Sequence, residues 1–145
     1  MREILFRGKD TDTGEWRYSM TISKQWSDCN EILSYCIGEG CRTIVSKTLG
    51  QYTGLTDKNG KKIFEGDILK GEQYPYKDCG GYYNYFAEVV WFDNSPAFGI
   101  YTFKNPNSNV RGISMGNTDY FENFTSADWE IIGNIHDNPE LLKRR

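Results

Sequence analysis

Apolar and polar positions alternate from Gln51 to Leu69, QYTGLTDKNGKKIFEGDIL, on both sides of an Asp57-Lys58-Asn59-Gly60 turn. The alternation predicts a β-hairpin in which Gln51 to Leu55 pairs with Lys61 to Phe64. Asn-Gly favours such a turn because both residues tolerate the positive φ that a right-twisted two-strand connection asks for. A second tight turn, Glu65-Gly66-Asp67, starts a further strand from Asp67 to Gly71. Ile63, Ile68 and Leu69 are the expected core contributions of this stretch, while Lys58, Lys61 and Lys62 keep the turn end in water.

The same period recurs along the chain. Arg2 to Gly8 and Glu15 to Met20 alternate around the polar turn Asp10-Thr11-Asp12-Thr13-Gly14, which predicts an N-terminal hairpin with Trp16, Tyr18 and Met20 on one face. Between Ser23 and Gly40 the pattern admits two readings. Cys29, Ile32, Leu33, Cys36 and Ile37 follow helical spacing, with Asp28 and Glu31 as a capping box. The alternative is a strand from Glu31 to Ile37, turned by Gly38-Glu39-Gly40 into a second strand over Arg42 to Ser46, and the β-rich surroundings favour it.

Further on, Phe86 to Phe92 and Ala97 to Phe103 read as strands joined at Asp93-Asn94-Ser95-Pro96. Glu72 to Tyr83 and Lys104 to Asn109 read as loops, Val110 to Met115 as a weak strand interrupted by Gly112, and Asn117 to Phe124 as a single helical turn. Asp128 to Ile135 alternates cleanly as a strand. Asn138-Pro139-Glu140 then sets a cap before a proline and predicts a short C-terminal helix carrying Leu141 and Leu142. The expected fold is mostly β: a coiled antiparallel sheet or barrel with long loops and a short C-terminal helix, formed by residues 1–145 as a single domain.

Composition narrows the partners. A net charge of −3 offers no basic field for nucleic acid or for an anionic membrane. No apolar run approaches the roughly 20 residues of a membrane-spanning helix, and MREILFRGKD lacks the apolar core of a secretory signal, so a cytoplasmic protein is expected. Cys29, Cys36, Cys41 and Cys79 form no C-x-x-C pair and stand far from the single histidine, His136. Free, largely buried thiols without metal or cofactor are therefore expected.

Asp57, Glu65, Asp67 and His136 are the obvious groups for catalysis, yet turn chemistry accounts for the three carboxylates and His136 has no second group to work with. No phosphate loop, nucleophile elbow or zinc-helix motif occurs. Gly54, Asp57, Asn59, Gly60, Gly66 and Asp67 are assigned as structural turn residues, and no catalytic residue is expected. Tyr74, Tyr76, Tyr82, Tyr83 and Tyr85, with Lys70 and Lys77, could stack single-stranded nucleic acid. The acidic balance and the absence of Arg there make packing over a barrel end or at a subunit contact the preferred use of these tyrosines.

Three motifs then coincide: FRGK at Phe6 to Lys9 with GEWRY at Gly14 to Tyr18, GQYTGLTDKNGKKIFEGDI at Gly50 to Ile68, and IIGNIHDNPELL at Ile131 to Leu142. On these residues the chain resembles the YopX family of phage and prophage proteins. The segment from Glu72 to Asp128 corresponds to the family's variable part. The resemblance implies a mostly β fold with a coiled barrel, a phage origin and self-association as a homo-oligomer, and it implies no known activity. The expected role is a non-enzymatic one in the bacterial cytoplasm, through contacts with an unidentified phage or host protein.

Overall fold

Alternating side chains and Gly-bearing turns produce twelve strands among the described residues of the computed structural model, which are 3–26, 32–73, 83–92, 97–104, 118–120 and 129–143. The chain divides into two compact units, Met1–Gly54 and Leu55–Arg145.

The first unit contains β1 (Phe6–Lys9), β2 (Trp16–Ser19), β3 (Ile22–Trp26), β4 (Ile32–Ile37), β5 (Arg42–Ile44) and a 3-10 turn at Ser46–Thr48. It also holds the start of β6 (Gly50–Thr56), which crosses the boundary into the second unit. β1 pairs antiparallel with β2, Phe6 facing Ser19 and Lys9 facing Trp16, and on its other side with β6, Phe6 facing Gln51. β4 lies between β3 and β5 in a separate sheet. Among the described residues, Cys36, Ile37, Ile44 and Tyr52 are the buried apolar side chains of this unit. Gly8 is needed where β1 crosses Ile44, because a Cβ there would collide with the Ile44 side chain.

The second unit begins with the last residues of β6 and continues through β7 (Lys62–Phe64), β8 (Asp67–Gln73), β9 (Tyr83–Phe92), β10 (Ala97–Lys104), β11 (Thr118–Tyr120) and β12 (Trp129–Asn134). β8 to β12 form one antiparallel sheet of order β11-β10-β9-β8-β12. Its register puts Leu69 beside Ala87 and Ile131, and Ile100 beside Val89. Leu69, Ala87, Val89 and Ile100 share one face, and with Ile63 and Trp129 they make the core, flanked by Leu55, Phe98 and Ile131. Gly71 faces Trp129 across the β8–β12 pair, where a Cβ would come within 2.7 Å of the indole. The glycine thus makes room for the largest core side chain.

Among the described residues the three sheets have the orders β2-β1-β6-β7, β3-β4-β5 and β11-β10-β9-β8-β12, so each ends in two edge strands and none closes into the expected barrel. Closure depends on pairing between strands distant in sequence, which local alternation does not encode. The C-terminal helix is only a 3-10 turn, Pro139–Lys143. The helical turn expected around Asn117 is in part strand β11, whose backbone is recruited by β10. β4 settles the ambiguous region as a strand over Ile32–Ile37, while β3 had no clear alternation to announce it. The weak strand expected at Val110 to Met115 lies outside the described residues. No helix among the described residues is long and apolar enough to cross a membrane.

The expectation of four free thiols fails for two of them. Cys36 and Cys41 are joined in a disulfide with Cα atoms 4.8 Å apart. The β4–β5 hairpin brings the two ends of its turn within bridging range, a proximity that spacing considered only for metal ligation did not anticipate. Cys29 and Cys79 lie outside the described residues.

Candidate functional site

The central hairpin turn is built around the Asp57 carboxylate. Asp57 Oδ1 accepts the backbone N–H groups of Asn59 and Lys61, both at 2.9 Å, while Oδ2 accepts that of Ile131 at 3.0 Å. The Asp57 N–H donates to the Lys61 carbonyl and the Gly60 N–H to the Asp57 carbonyl. Gly60 alone in this turn has positive φ, +81°, whereas Asn59 stays in ordinary space. The turn is thus a type I turn closed by a glycine bulge, in place of a two-residue turn with both central residues at positive φ. Lys58 N–H donates to the Trp129 carbonyl, so the turn docks on β12 through backbone as well as carboxylate.

Burial pushes the Asp57 carboxyl up, but the three backbone donors from Ile131, Lys61 and Asn59 outweigh it and hold the group below its usual value. Such a carboxylate has its lone pairs committed to amides. It is a poor candidate for proton transfer.

Asp67 is 2% exposed, and its Oδ2 accepts the Phe64 N–H at 2.8 Å across the Glu65-Gly66 bend. Gly66, at φ +87°, donates its N–H to the Val89 carbonyl and accepts from the Ile135 N–H, so the bend is fastened to β9 and to the residue after β12. Its Cα faces His136, whose Nε2 would lie 3.5 Å from an added Cβ. His136 is therefore brought beside the bend. Gly54 has φ +92° within β6, which marks an irregularity in that strand.

The motif after β12 is a set of side-chain-capped turns, of which the sequence reading named only Asn138 as a cap and passed over Asn134. Asn134 Oδ1 accepts from the N–H groups of His136 and Asp137, and Asn134 Nδ2 donates to Asp137 Oδ2. Asn138 Oδ1 returns to the Asn134 N–H at 3.2 Å, over Gly133, where a Cβ would strike that same amide. Asn-x-His-Asp-Asn spacing is a legible sign of such turns.

In the first unit a second carboxylate, also missed from sequence, collects more partners. Asp10 Oδ1 accepts the Asp12 and Thr13 N–H groups, and Oδ2 accepts Arg17 Nε at 3.3 Å and Arg42 Nε at 2.9 Å. Arg42 Nη2 adds an ion pair at 2.8 Å. The Asp12 amide and the Arg42 guanidinium hold Asp10 far below the carboxylate range, and Arg42 is raised in turn. The Asp-Thr-Asp-Thr-Gly turn was readable from sequence, but the arginines were not. Nearby, Arg7 lies over the Trp16 ring at 4.6 Å and Lys9 at 5.7 Å.

Among the described residues no three His, Cys, Asp or Glu side chains gather in a way that could hold a metal ion. Tyr74, Tyr76, Tyr82 and Lys77, which a stacking platform would need, lie outside the described residues.

No curated protein matches this chain. Among solved structures, the crystal structure of protein EF1440 from Enterococcus faecalis aligns with 98% of this chain and 99% of its own, at 24% identity and a TM-score of 0.49. The family model described as YopX protein matches residues 5–143, a span that takes in all three sequence motifs, and the chain belongs to the YopX family.

Proposed function

We propose that this is a non-enzymatic protein of a phage or prophage, working in the cytoplasm of the bacterial host through protein–protein contacts that include its own self-association. The observation that carries the reading is the apolar surface of the first unit. Ile4, Tyr18, Met20 and Trp26 are 53%, 54%, 71% and 57% exposed, apolar area of the first unit that a partner would cover. Supporting it, the carboxylates best placed for chemistry, Asp10, Asp57 and Asp67, are each spent on backbone or arginine donors.

Light scattering coupled to gel filtration tests the reading. A mass above the monomer's 16.8 kDa is expected at micromolar concentration, and Met20→Lys with Trp26→Lys should lower it. A strictly monomeric mass at every dilution would refute self-association. Turnover of a substrate that survives Asp57→Asn and Asp67→Asn would place chemistry elsewhere in the chain and overturn the non-enzymatic reading.

A further inference from the structure

Cys36 and Cys41 close a loop with a sequence separation of only 5. A cross-link stabilises a fold chiefly by withdrawing conformational freedom from the unfolded chain, and that gain shrinks with the loop it closes. So small a loop makes a weak staple for the whole domain. Its effect is concentrated on the hairpin turn itself.

That turn is where the backbone departs from ordinary space. Cys41 has φ +46°, and among the described residues it is the one non-glycine residue with positive φ. The left-handed region brings Cβ against the backbone, so a cysteine rests there only while something holds it. The Cys41 N–H to Gly38 carbonyl bond, 3.1 Å, and the disulfide are the restraints on it. The next residue is Arg42, whose guanidinium binds Asp10 Oδ2 through both Nε and Nη2. Around that contact, Thr11 N–H donates to the Thr43 carbonyl and Val45 N–H to the Lys9 carbonyl, joining the two hairpins.

The bridge is also asymmetric. Cys36 is 1% exposed within β4, whereas Cys41 is exposed at the turn. Cys41 is thus the surface end of the bridge, and accessible disulfides are the readily exchanged ones.

We propose that the Cys36–Cys41 bridge is a reversible thiol–disulfide switch that governs the Arg42–Asp10 clasp between the β1–β2 turn and β5. A thiolate of a dithiol reductant attacks Cys41 Sγ, the S–S bond breaks, and Cys36 leaves as a thiolate that takes up a proton. The second thiol of the reductant resolves the mixed disulfide and releases Cys41 as a thiol. Two electrons pass to the protein, and the reductant leaves as its cyclic disulfide. Freed of the bridge, Cys41 relaxes out of the left-handed region and carries Arg42 with it.

The test compares the full-length protein, oxidised with glutathione disulfide or reduced with a dithiol, against Cys36→Ser/Cys41→Ser. After treatment without denaturant, removal of the reagent and unfolding for thiol titration, the wild type should match the double variant in the oxidised sample and exceed it by two thiols in the reduced one, a same-buffer comparison in which any contribution of Cys29 and Cys79 cancels. Amide exchange at Thr11 and Val45 should quicken about tenfold on reduction, while Leu69 and Val89 in the second unit keep their rates. The double variant should show the fast rates in both buffers. A bridge that never forms under oxidation, one reduced only when the protein unfolds, or reduction that leaves Thr11 and Val45 unchanged would each overturn the proposal.

Discussion

Asp57 and Ile131 stand 74 positions apart, and the Ile131 N–H donates to Asp57 Oδ2 at 3.0 Å. One carboxylate thereby closes a hairpin turn and fixes it to the bulged strand β12, whose register shifts between Ile131 and Gly133. Removing it strands three amide donors in a site where Asp57 itself is only 4% exposed. Asp57→Ala should cost about 3 kcal/mol in denaturant unfolding, since bonds to a charged acceptor are worth more than neutral ones and unsatisfied buried donors add to the loss. Lys58→Ala and Lys61→Ala at the same turn should stay within about half a kcal/mol. An Asp57→Ala protein of unchanged stability that no longer bound its partner would move a functional site onto this turn.

Gly66 carries a different demand. Its φ of +87° excludes a Cβ on backbone grounds, although the space toward His136 would admit one. Gly66→Ala should therefore destabilise by about 1 kcal/mol or more through strain alone. Gly60→Ala, at φ +81° with open space around it, should show a similar loss. Denaturation midpoints of the two variants give the check. If Gly66→Ala loses far more than Gly60→Ala, contact with His136 contributes beyond the backbone.

Local pattern made the hairpins legible, because alternation and Gly-bearing turns act over a few residues. The strands β1, β2, β7, β9, β10 and β12 lie where alternation put them, within a few positions at their ends. β3 was missed because Ile-Ser-Lys-Gln-Trp shows one apolar residue at each end and no period between. β11 was mistaken for a helical turn because its three residues become strand only by pairing with β10. Barrel closure, the Cys36–Cys41 bridge and the Asp10 clasp share a single cause. Each depends on which segments meet, and Arg42 is 32 residues from Asp10. Asp57 was identifiable as a turn cap, but its bond to Ile131 was not.

Acid should loosen the first unit through Asp10. Its folded pKa is depressed, so the carboxylate contributes stability that is present above the ordinary Asp value, about 3.9, and is lost as pH falls through the lower folded value. Asp10→Asn removes that dependence along with the Arg17 and Arg42 ion pairs. The variant should be less stable than wild type at neutral pH, and the gap should narrow steadily as the solution is acidified. Thermal unfolding followed across pH reads both curves. A gap that stayed constant down to strong acid would show that Asp10 acts by shape and not by charge.

Glu88 should behave with the opposite sign. It lies on β9 with Ile68 of β8 and Tyr101 of β10 as its register partners, and burial raises its pKa above the ordinary Glu value. The folded state consequently holds the proton more tightly than the unfolded chain does. Stability from this group is present below about 4.3, the ordinary value, and is lost as pH rises through the raised folded value. Once ionised, the buried carboxylate is a net cost. Glu88→Gln keeps the size and the hydrogen-bonding capacity of the neutral acid while removing the charge, so its melting temperature should exceed that of wild type at pH 7. Near pH 4 the two proteins should melt together. Should Glu88→Gln melt lower than wild type at neutral pH, the ionised carboxylate must be gaining an attraction that outweighs its burial, and the side chain would then be a candidate for recognising a cationic partner.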